Sequence, residues 1–303
     1  MNIFIVGLRR SGTTVFWRMF RGDDRLLCLD EPFNPLLSDL PRPHEKGTRA
    51  EFIDIYESQP DVFRRKFSPI EPKEEVATGL TDVQAEYLTW LLGQNRHVVC
   101  DFTRCAFKIE DLHRIDPSAV LVHLHRRPES VATSHLLPSG SGTWRRPLAN
   151  IARRLSFWWR RGWYDNWNFE TIIGTSADSP FGEILRSMGV SAERIYELPA
   201  VGRVMAYWAV VYKMVEGSAK ENFSGQFAST KYESFCSSPD DEIDDIYKLA
   251  GLSPGEPPAG AVHDPKSPYQ AGSHRWRELK DALMGAGLEL PRAQDGTLTH
   301  QDV

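Results

Sequence analysis

The first fourteen residues constrain this chain more than any later stretch. An apolar run from Ile3 to Val6 ends at Gly7, a short polar turn runs from Leu8 to Gly12, and a helix start follows at Thr13. A buried strand that feeds a glycine-bounded loop and a helix N-terminus is a cradle for phosphate. Successive backbone N–H groups point inward, and the positive end of the helix dipole favours the anion. Against the phosphate-loop pattern G-x-x-x-x-G-K-[ST], Gly7, Gly12 and Thr14 fit, but Thr13 stands in the lysine position. The nearest positive charges, Arg9 and Arg10, lie inside the loop beside Ser11. Such a loop is poorly suited to a magnesium-bound nucleoside triphosphate. It suits a 5′-phosphate whose terminal group carries less charge than a γ-phosphate.

Strand candidates recur with helical stretches between them. Residues 2–6 lead to a helix over 13–21, and residues 97–101 to one near 108–114. Residues 119–125 lead to a helix opened by Pro128, and residues 226–231 precede an acidic helix over 239–250 that Gly251 stops. This alternation predicts one α/β domain over residues 1–303, three layers deep (α/β/α), with a central parallel sheet. Ligands of such sheets bind at the carboxyl ends of the strands, where Gly7, Asp101 and Arg126 fall.

Two segments break the alternation. Residues 40–75 read as loops with a short helix near 50–57. Residues 136–180 read as a substrate-side insertion. It carries a Gly/Ser/Pro loop over 137–142, then Trp144, Arg145 and Arg146, then the aromatic and basic run 157–164. That run is either packing with snorkelling arginines or a platform for an acceptor.

Composition removes several function classes. Hydrophobic content of 41% supports a substantial core, and a net charge of −5 argues against general nucleic-acid binding. The four cysteines show no C-x-x-C spacing and read as reduced thiols. The chain opens directly on a strand and contains no run of 18 apolar residues, so a cytoplasmic enzyme without a membrane span is expected. His123 and His125 alternate onto one strand face; without a third ligand at suitable spacing they read as satisfied or solvent-facing histidines, and no metal is expected.

A second anion site follows the strand 120–124, in His125-Arg126-Arg127-Pro128-Glu129-Ser130-Val131-Ala132-Thr133-Ser134. An arginine at a strand end can grip a phosphate with two prongs, and Ser134, about two helical turns on, can add a hydroxyl. Two phosphate sites at neighbouring strand ends resemble the sulfotransferases, which use 3′-phosphoadenosine-5′-phosphosulfate (PAPS). In their carbohydrate and protein-tyrosine branches the 5′-phosphosulfate loop often reads R-S-G-T-T, as Arg10-Ser11-Gly12-Thr13-Thr14 does here. Their 3′-phosphate motif R-D-P-x-x-x-x-x-S matches Arg126, Pro128 and Ser134, with Arg127 in place of the aspartate. A Glu-Pro pair follows the loop, with Glu31 standing 31 − 10 = 21 residues beyond Arg10, the carbohydrate-branch spacing. Tyr232-Glu233-Ser234-Phe235 matches Y-E-x-[LF], whose tyrosine lies near the adenine in the family, and residues 267–276 look like the loop that closes over the cofactor. The family's lysine just after the strand preceding the 3′-phosphate strand has no counterpart, which leaves Arg104, Lys108 or the loop arginines to supply its charge.

The resemblance implies sulfuryl transfer from PAPS to a hydroxyl of a glycan, glycolipid or small glycosylated metabolite, by in-line displacement without a metal. Arg10 is the candidate for the leaving bridging oxygen and Glu31 for the general base. Arg9, Ser11, Gly12, Thr13 and Thr14 are expected on the 5′-phosphate, Arg126 and Ser134 on the 3′-phosphate, and Tyr232 at the adenine. Glu31 also admits a capping or ion-pairing role, and Tyr232 a core role. Two other readings stand beside the first. One is a kinase-like phosphotransferase, with Asp101 as its metal-binding aspartate. The other is a degenerate member that binds nucleotide without turnover.

Overall fold

Five short runs of β-branched, aromatic and small apolar residues pair into one sheet. They are β1 (Ile3–Val6), β2 (Leu27–Asp30), β3 (Val98–Phe102), β4 (Val120–His125) and β5 (Phe227–Lys231). The order is β2-β3-β1-β4-β5 and every pair is parallel, with Ile5 lying opposite Asp101 on one side and Val122 on the other. The structure is a computed structural model and describes residues 1–40, 47–136, 169–254 and 274–291, with residues 148, 151, 155, 160 and 161 besides. The central strands β1 and β3 are buried at every position, as expected where helices cover both faces of a parallel sheet.

The helices, in chain order, are α1 (Thr13–Arg18), α2 (Ala50–Ser58), α3 (Pro60–Lys66), α4 (Asp82–Leu92), α5 (Ile109–Ile115) and α6 (Pro128–Leu136). After them come α7 (Phe169–Ile173), α8 (Pro180–Ser187), α9 (Ala192–Glu197), α10 (Ala200–Asn222), α11 (Tyr232–Ser237), α12 (Pro239–Leu249) and α13 (His274–Gly285). One sheet face packs Phe4, Val6, Cys100, Phe102 and Leu121 against a core that includes Leu112, Val131, Tyr207 and Val211. The other packs Ile3, Ile5, Val99, Val122 and Leu124 against Phe16, Trp17, Phe20, Ile243 and Tyr247. Alternate residues of each strand feed the two clusters, which is the period-2 geometry of a strand. The three-layer α/β/α arrangement expected from the alternation is what forms.

Four of the five strands fall where the apolar runs predict them. The additions include the edge strand β2, the helices α3 and α4 and the 23-residue α10, none of which the sequence reading placed; α7, α8, α9, α11 and α13 are further ones. The segment 40–75, read as loops around one short helix, carries two consecutive helices broken between Ser58 and Pro60. The segment expected as a loop over 137–142, Trp144, Arg145, Arg146 and the run 157–164 except Arg160 and Arg161 lie outside the described residues. So do residues 267–273, while His274–Trp276 form the first turn of α13.

Candidate active site at the strand ends

The loop after β1 closes on two glycines whose Cβ positions are already taken. A Cβ on Gly7 would come within 2.5 Å of the Leu124 carbonyl oxygen, because β1 and β4 lie side by side there. Gly12 caps α1 at φ 100°, and a Cβ on it would lie 2.2 Å from the Tyr232 ring. A side chain is therefore excluded there twice, by backbone conformation and by contact. The Gly12 carbonyl accepts the N–H groups of Val15 (3.0 Å) and Phe16 (3.1 Å), so α1 starts directly on the loop.

Arg10 sits at φ 72°, in the left-handed region that non-glycine residues avoid. Its Nε donates to Ser134 Oγ at 2.7 Å, and its carbonyl accepts from Arg126 Nη1 at 3.4 Å. The Arg126 guanidinium lies 5.0 Å from the centre of the Tyr232 ring. Arg10, Gly12, Arg126, Ser134 and Tyr232, up to 222 positions apart in the chain (232 − 10), thus meet in one place. Burial and, after it, the neighbouring Arg126 charge both lower the pKa of Arg10, as expected of two guanidiniums held close together. The turn after β4 is tied to α11: Arg127 N–H donates to Glu233 Oε1 at 3.2 Å, and Arg127 Nε lies 3.8 Å from the same carboxylate. Arg127, the departure from the aspartate of the motif, thereby has a carboxylate partner.

Arg9 does not join this group. It is 3% exposed, and its guanidinium meets Glu75 end-on, Nη1 to Oε2 at 2.5 Å and Nη2 to Oε1. Arg104 Nη1 donates to the same Oε1. Burial lowers the pKa of Arg9, but Glu75 outweighs it and holds the value raised; at Arg104 burial and the Arg9 charge win, and the value is lowered. The Arg9 carbonyl receives His135 Nε2 at 3.1 Å, so the residue ties the loop to α6 and to the segment around Glu75. Expected on the 5′-phosphate, its side chain is instead committed to a buried ion pair.

Lys108 is likewise engaged elsewhere. Its Nζ donates to the carbonyls of Ala77 (2.8 Å), Glu74 (3.0 Å) and Glu75 (3.3 Å), and the residue is 2% exposed. A lysine with three carbonyl partners clamps the Glu75 segment onto the turn before α5. Of the two cations considered for the missing lysine, Arg104 alone lines the cleft that contains Glu31, together with Phe33, Asp101, Phe102, Thr103 and Cys105.

Glu31 follows β2 directly and sits at φ 51°. Its N–H donates to the Asp101 carbonyl at 3.0 Å, which places its side chain at the carboxyl end of β3. Thr103 Oγ1 donates to Oε1 at 2.5 Å, and Asn34 Nδ2 donates to Oε2. Beside it lie two more carboxyls. Asp101 is wholly buried, and its pKa is raised well above the carboxylate range by burial and by Asp30 and Glu31. Burial and Glu31 push Asp30 up to about 6. Asp101, weighed as a metal-binding aspartate, is a buried acid whose surroundings disfavour its charge. Among the described residues no group of three His, Cys, Asp or Glu side chains is arranged to hold a metal ion. His123 is satisfied, as its position on β4 predicts: its Nδ1 lies 2.8 Å from Glu216 Oε1, which also accepts from Ser229 Oγ at 2.5 Å. Burial alone would raise the Glu216 carboxyl, but those partners hold it at about 2.

Buried polar atoms without a hydrogen-bond partner gather around the loop, among them Ser11 Oγ, Arg126 Nε, Thr133 Oγ1, Arg104 Nε and Glu233 Oε2. Native interiors leave few such atoms unpaired. Those beside the loop include the donors Ser11 Oγ, Arg126 Nε and Thr133 Oγ1, as an anionic ligand requires; others, such as His113 Nδ1 and Arg203 Nε, lie elsewhere. Sequence reasoning missed Glu75, Asn34 and Thr103. An acidic residue within a loop-like segment carries no local signal, and their roles depend on contacts across 66, 3 and 72 residues of chain.

A parallel α/β sheet with a glycine-bounded loop between its central strand and the helix that follows is a phosphate-loop-like fold. Residues 2–197 match the sulfotransferase family, and the chain belongs to it. A comparison with curated proteins finds no match. Solved structures similar to this chain are sulfotransferases at low identity. The sulfotransferase domain of the Synechococcus PCC 7002 olefin synthase is 15% identical, with 96% of each chain covered and a TM-score of 0.47. The sulfotransferase domain from the curacin biosynthetic pathway is 14% identical (95% of this chain and 98% of that one, TM-score 0.43). A sulfotransferase from Alicyclobacillus acidocaldarius is 15% identical (94% of each chain, TM-score 0.40). Among the described residues no helix is long and apolar enough to cross a membrane.

Proposed function

We propose that this sulfotransferase takes its sulfuryl group from PAPS and passes it to a hydroxyl of a glycan or glycosylated metabolite, as a member of the carbohydrate and protein-tyrosine branch. One observation carries the reading. Among the described residues, Arg10 and Glu31 are the two non-glycine residues in the left-handed region, and they are also the two that the chemistry needs. Backbone strain of this kind costs about 1–3 kcal/mol and collects at active sites, where surrounding structure over-determines it.

PAPS supplies an activated sulfuryl group whose departure leaves negative charge on the bridging oxygen. Arg10 meets that charge with a fixed guanidinium, so little reorganisation is needed when the charge develops. Thr13, Thr14, Ser11 and the loop N–H groups, Gly12 among them, hold the 5′-phosphate at the start of α1. Arg126 and Ser134 take the 3′-phosphate, and Tyr232, beneath the Arg126 guanidinium, supports the adenine side. Glu31 removes the proton of the acceptor hydroxyl as the new S–O bond forms, a step worth about 10²–10⁴ in rate. The Arg9–Glu75–Arg104 cluster keeps the loop and the β3 end in register. Cytoplasmic operation on a soluble hydroxyl-bearing acceptor, without nucleic acid, completes the proposal.

Calorimetric titration with adenosine 3′,5′-bisphosphate in the absence of magnesium tests it. Binding that survives chelator and weakens in Arg126→Ala supports the donor assignment. No binding, or binding that requires magnesium, refutes it.

A further inference from the structure

We propose that Thr103 and Asn34 are positioning residues: they lock the Glu31 carboxylate in one orientation, each tethering one of its oxygens, so that it meets the acceptor proton. The inference rests on Glu31 being the general base.

The two tethers come from opposite sides. Thr103, in the turn after β3, donates its hydroxyl to Oε1 at 2.5 Å; Asn34, three residues beyond Glu31, donates Nδ2 to Oε2. The amide of Asn34 has no freedom to turn over, because its Oδ1 accepts the Leu36 N–H at 3.1 Å and caps the short helix Pro35–Asp39. One end of that side chain is structural, and the other faces Glu31. Each carboxylate oxygen accepts more than one hydrogen bond. Both tethers therefore leave acceptor capacity for a substrate hydroxyl while removing rotation of the carboxylate.

The tethers are not needed to hold the turn. The backbone of this turn is closed by Glu31 N–H to the Asp101 carbonyl at 3.0 Å and Asn34 N–H to the Glu31 carbonyl at 2.9 Å. The Pro32 carbonyl accepts the hydroxyl of Tyr87, itself wholly buried, at 3.1 Å. None of these bonds involves the carboxylate. Two side-chain donors spent on a carboxylate that the turn does not require are explained by what that carboxylate does. The left-handed φ of Glu31 aims the side chain across the end of β3, and the donors fix where it stops.

The test uses the full-length protein and reads two quantities in parallel: formation of adenosine 3′,5′-bisphosphate from PAPS in the presence of a panel of hydroxyl compounds, and calorimetric affinity for that bisphosphate. Thr103→Val removes one donor at nearly constant shape. Asn34→Ser keeps a cap oxygen for the Leu36 N–H and removes the other donor without placing a second carboxylate beside Glu31. Each is expected to lower kcat by about 10–100-fold, the scale of a misplaced catalytic group, while bisphosphate affinity stays within about twofold. Thr103→Ser, which retains a hydroxyl, restores most of the rate. In a Glu31→Gln background Thr103→Val causes no further fall, since there is no carboxylate left to orient. Wild-type kcat in Thr103→Val overturns the inference, as does an equal fall in the Glu31→Gln background or a fall matched by lost bisphosphate affinity. If Glu31→Gln itself turns over normally, Glu31 is not the base and the proposed function fails at that residue; if Glu31→Gln is inactive and Thr103→Val is not, only the positioning role fails.

Discussion

Replacing Glu75 by Gln isolates the part of the loop that binds no substrate. Glu75 is 1% exposed and carries the countercharge for Arg9, which is 3% exposed, and for Arg104. Glutamine keeps the shape but leaves two buried guanidiniums facing a neutral amide. Removing one member of a buried ion pair costs about 3–5 kcal/mol, because the remaining charge has no partner and no water. For a chain of 303 residues the entropy of unfolding is about 0.6 kcal/mol/K, so the fall in Tm is about 5–8 °C. Lys108 still clamps the Glu75 segment by backbone carbonyls, so the loss registers first at Arg9 and the loop rather than as removal of the segment. Calorimetric melting and urea unfolding, run with and without adenosine 3′,5′-bisphosphate, measure it. A Glu75→Gln protein within about 1 kcal/mol of wild type would mean that Arg9 is free to face ligand after all, and the reasoning that assigns it to the scaffold would be wrong.

Two further changes probe the same region. Gly12→Ala forces a side chain into a φ of 100° and onto the Tyr232 ring, with a cost of about 1–2 kcal/mol for the left-handed backbone and about 1–3 kcal/mol for overpacking; bisphosphate affinity should fall with stability, and an alanine variant with wild-type melting and binding would contradict the loop geometry. The Asp30 carboxyl is raised from 3.8 to about 6 in the folded protein, so its protonated form favours folding; that contribution is complete below about pH 4 and is lost as pH rises through 6. Asp30→Asn should therefore stabilise the protein at pH 7.5 far more than at pH 4, and an equal gain at both pH values in urea titrations would show that burial of the charge is not the cause.

Much of this architecture is written in local patterns. The continuous apolar runs of β1, β3 and β4 are legible because both their faces are buried, and the Pro128 and Gly251 signals mark helix ends that form. The edge strand Leu27–Asp30 was not legible: four residues after a charged turn give too short a pattern, and its pairing with β3 decides its state. Helix α4 did carry a signal, the Thr81/Gln84 capping box, closed by Gln84 N–H to Thr81 Oγ1 at 3.3 Å and Thr81 N–H to Gln84 Oε1 at 3.0 Å. At the site, Arg10, Gly12, Arg126, Ser134 and Tyr232 could be named from motifs that resemble the sulfotransferases', and they come together. Arg9 could not be told from Arg10, since adjacent loop residues of one type differ only in where the fold points them. The Thr103 tether on Glu31 and the countercharge at Glu75 are invisible in one dimension, being set by contacts across 72 and 66 residues of chain; Asn34, three residues from Glu31, is local but its pairing depends on the left-handed turn.

The central claim is that Glu31 works on the acceptor while the loop holds the donor, and one comparison separates the two. Wild type and Glu31→Gln are titrated with adenosine 3′,5′-bisphosphate and assayed for sulfuryl transfer from labelled PAPS to the same panel of hydroxyl compounds. The account predicts equal bisphosphate affinity and turnover lower by about 10²–10⁴ in Glu31→Gln. Turnover within a few-fold of wild type, or a loss explained by weaker bisphosphate binding, would contradict it.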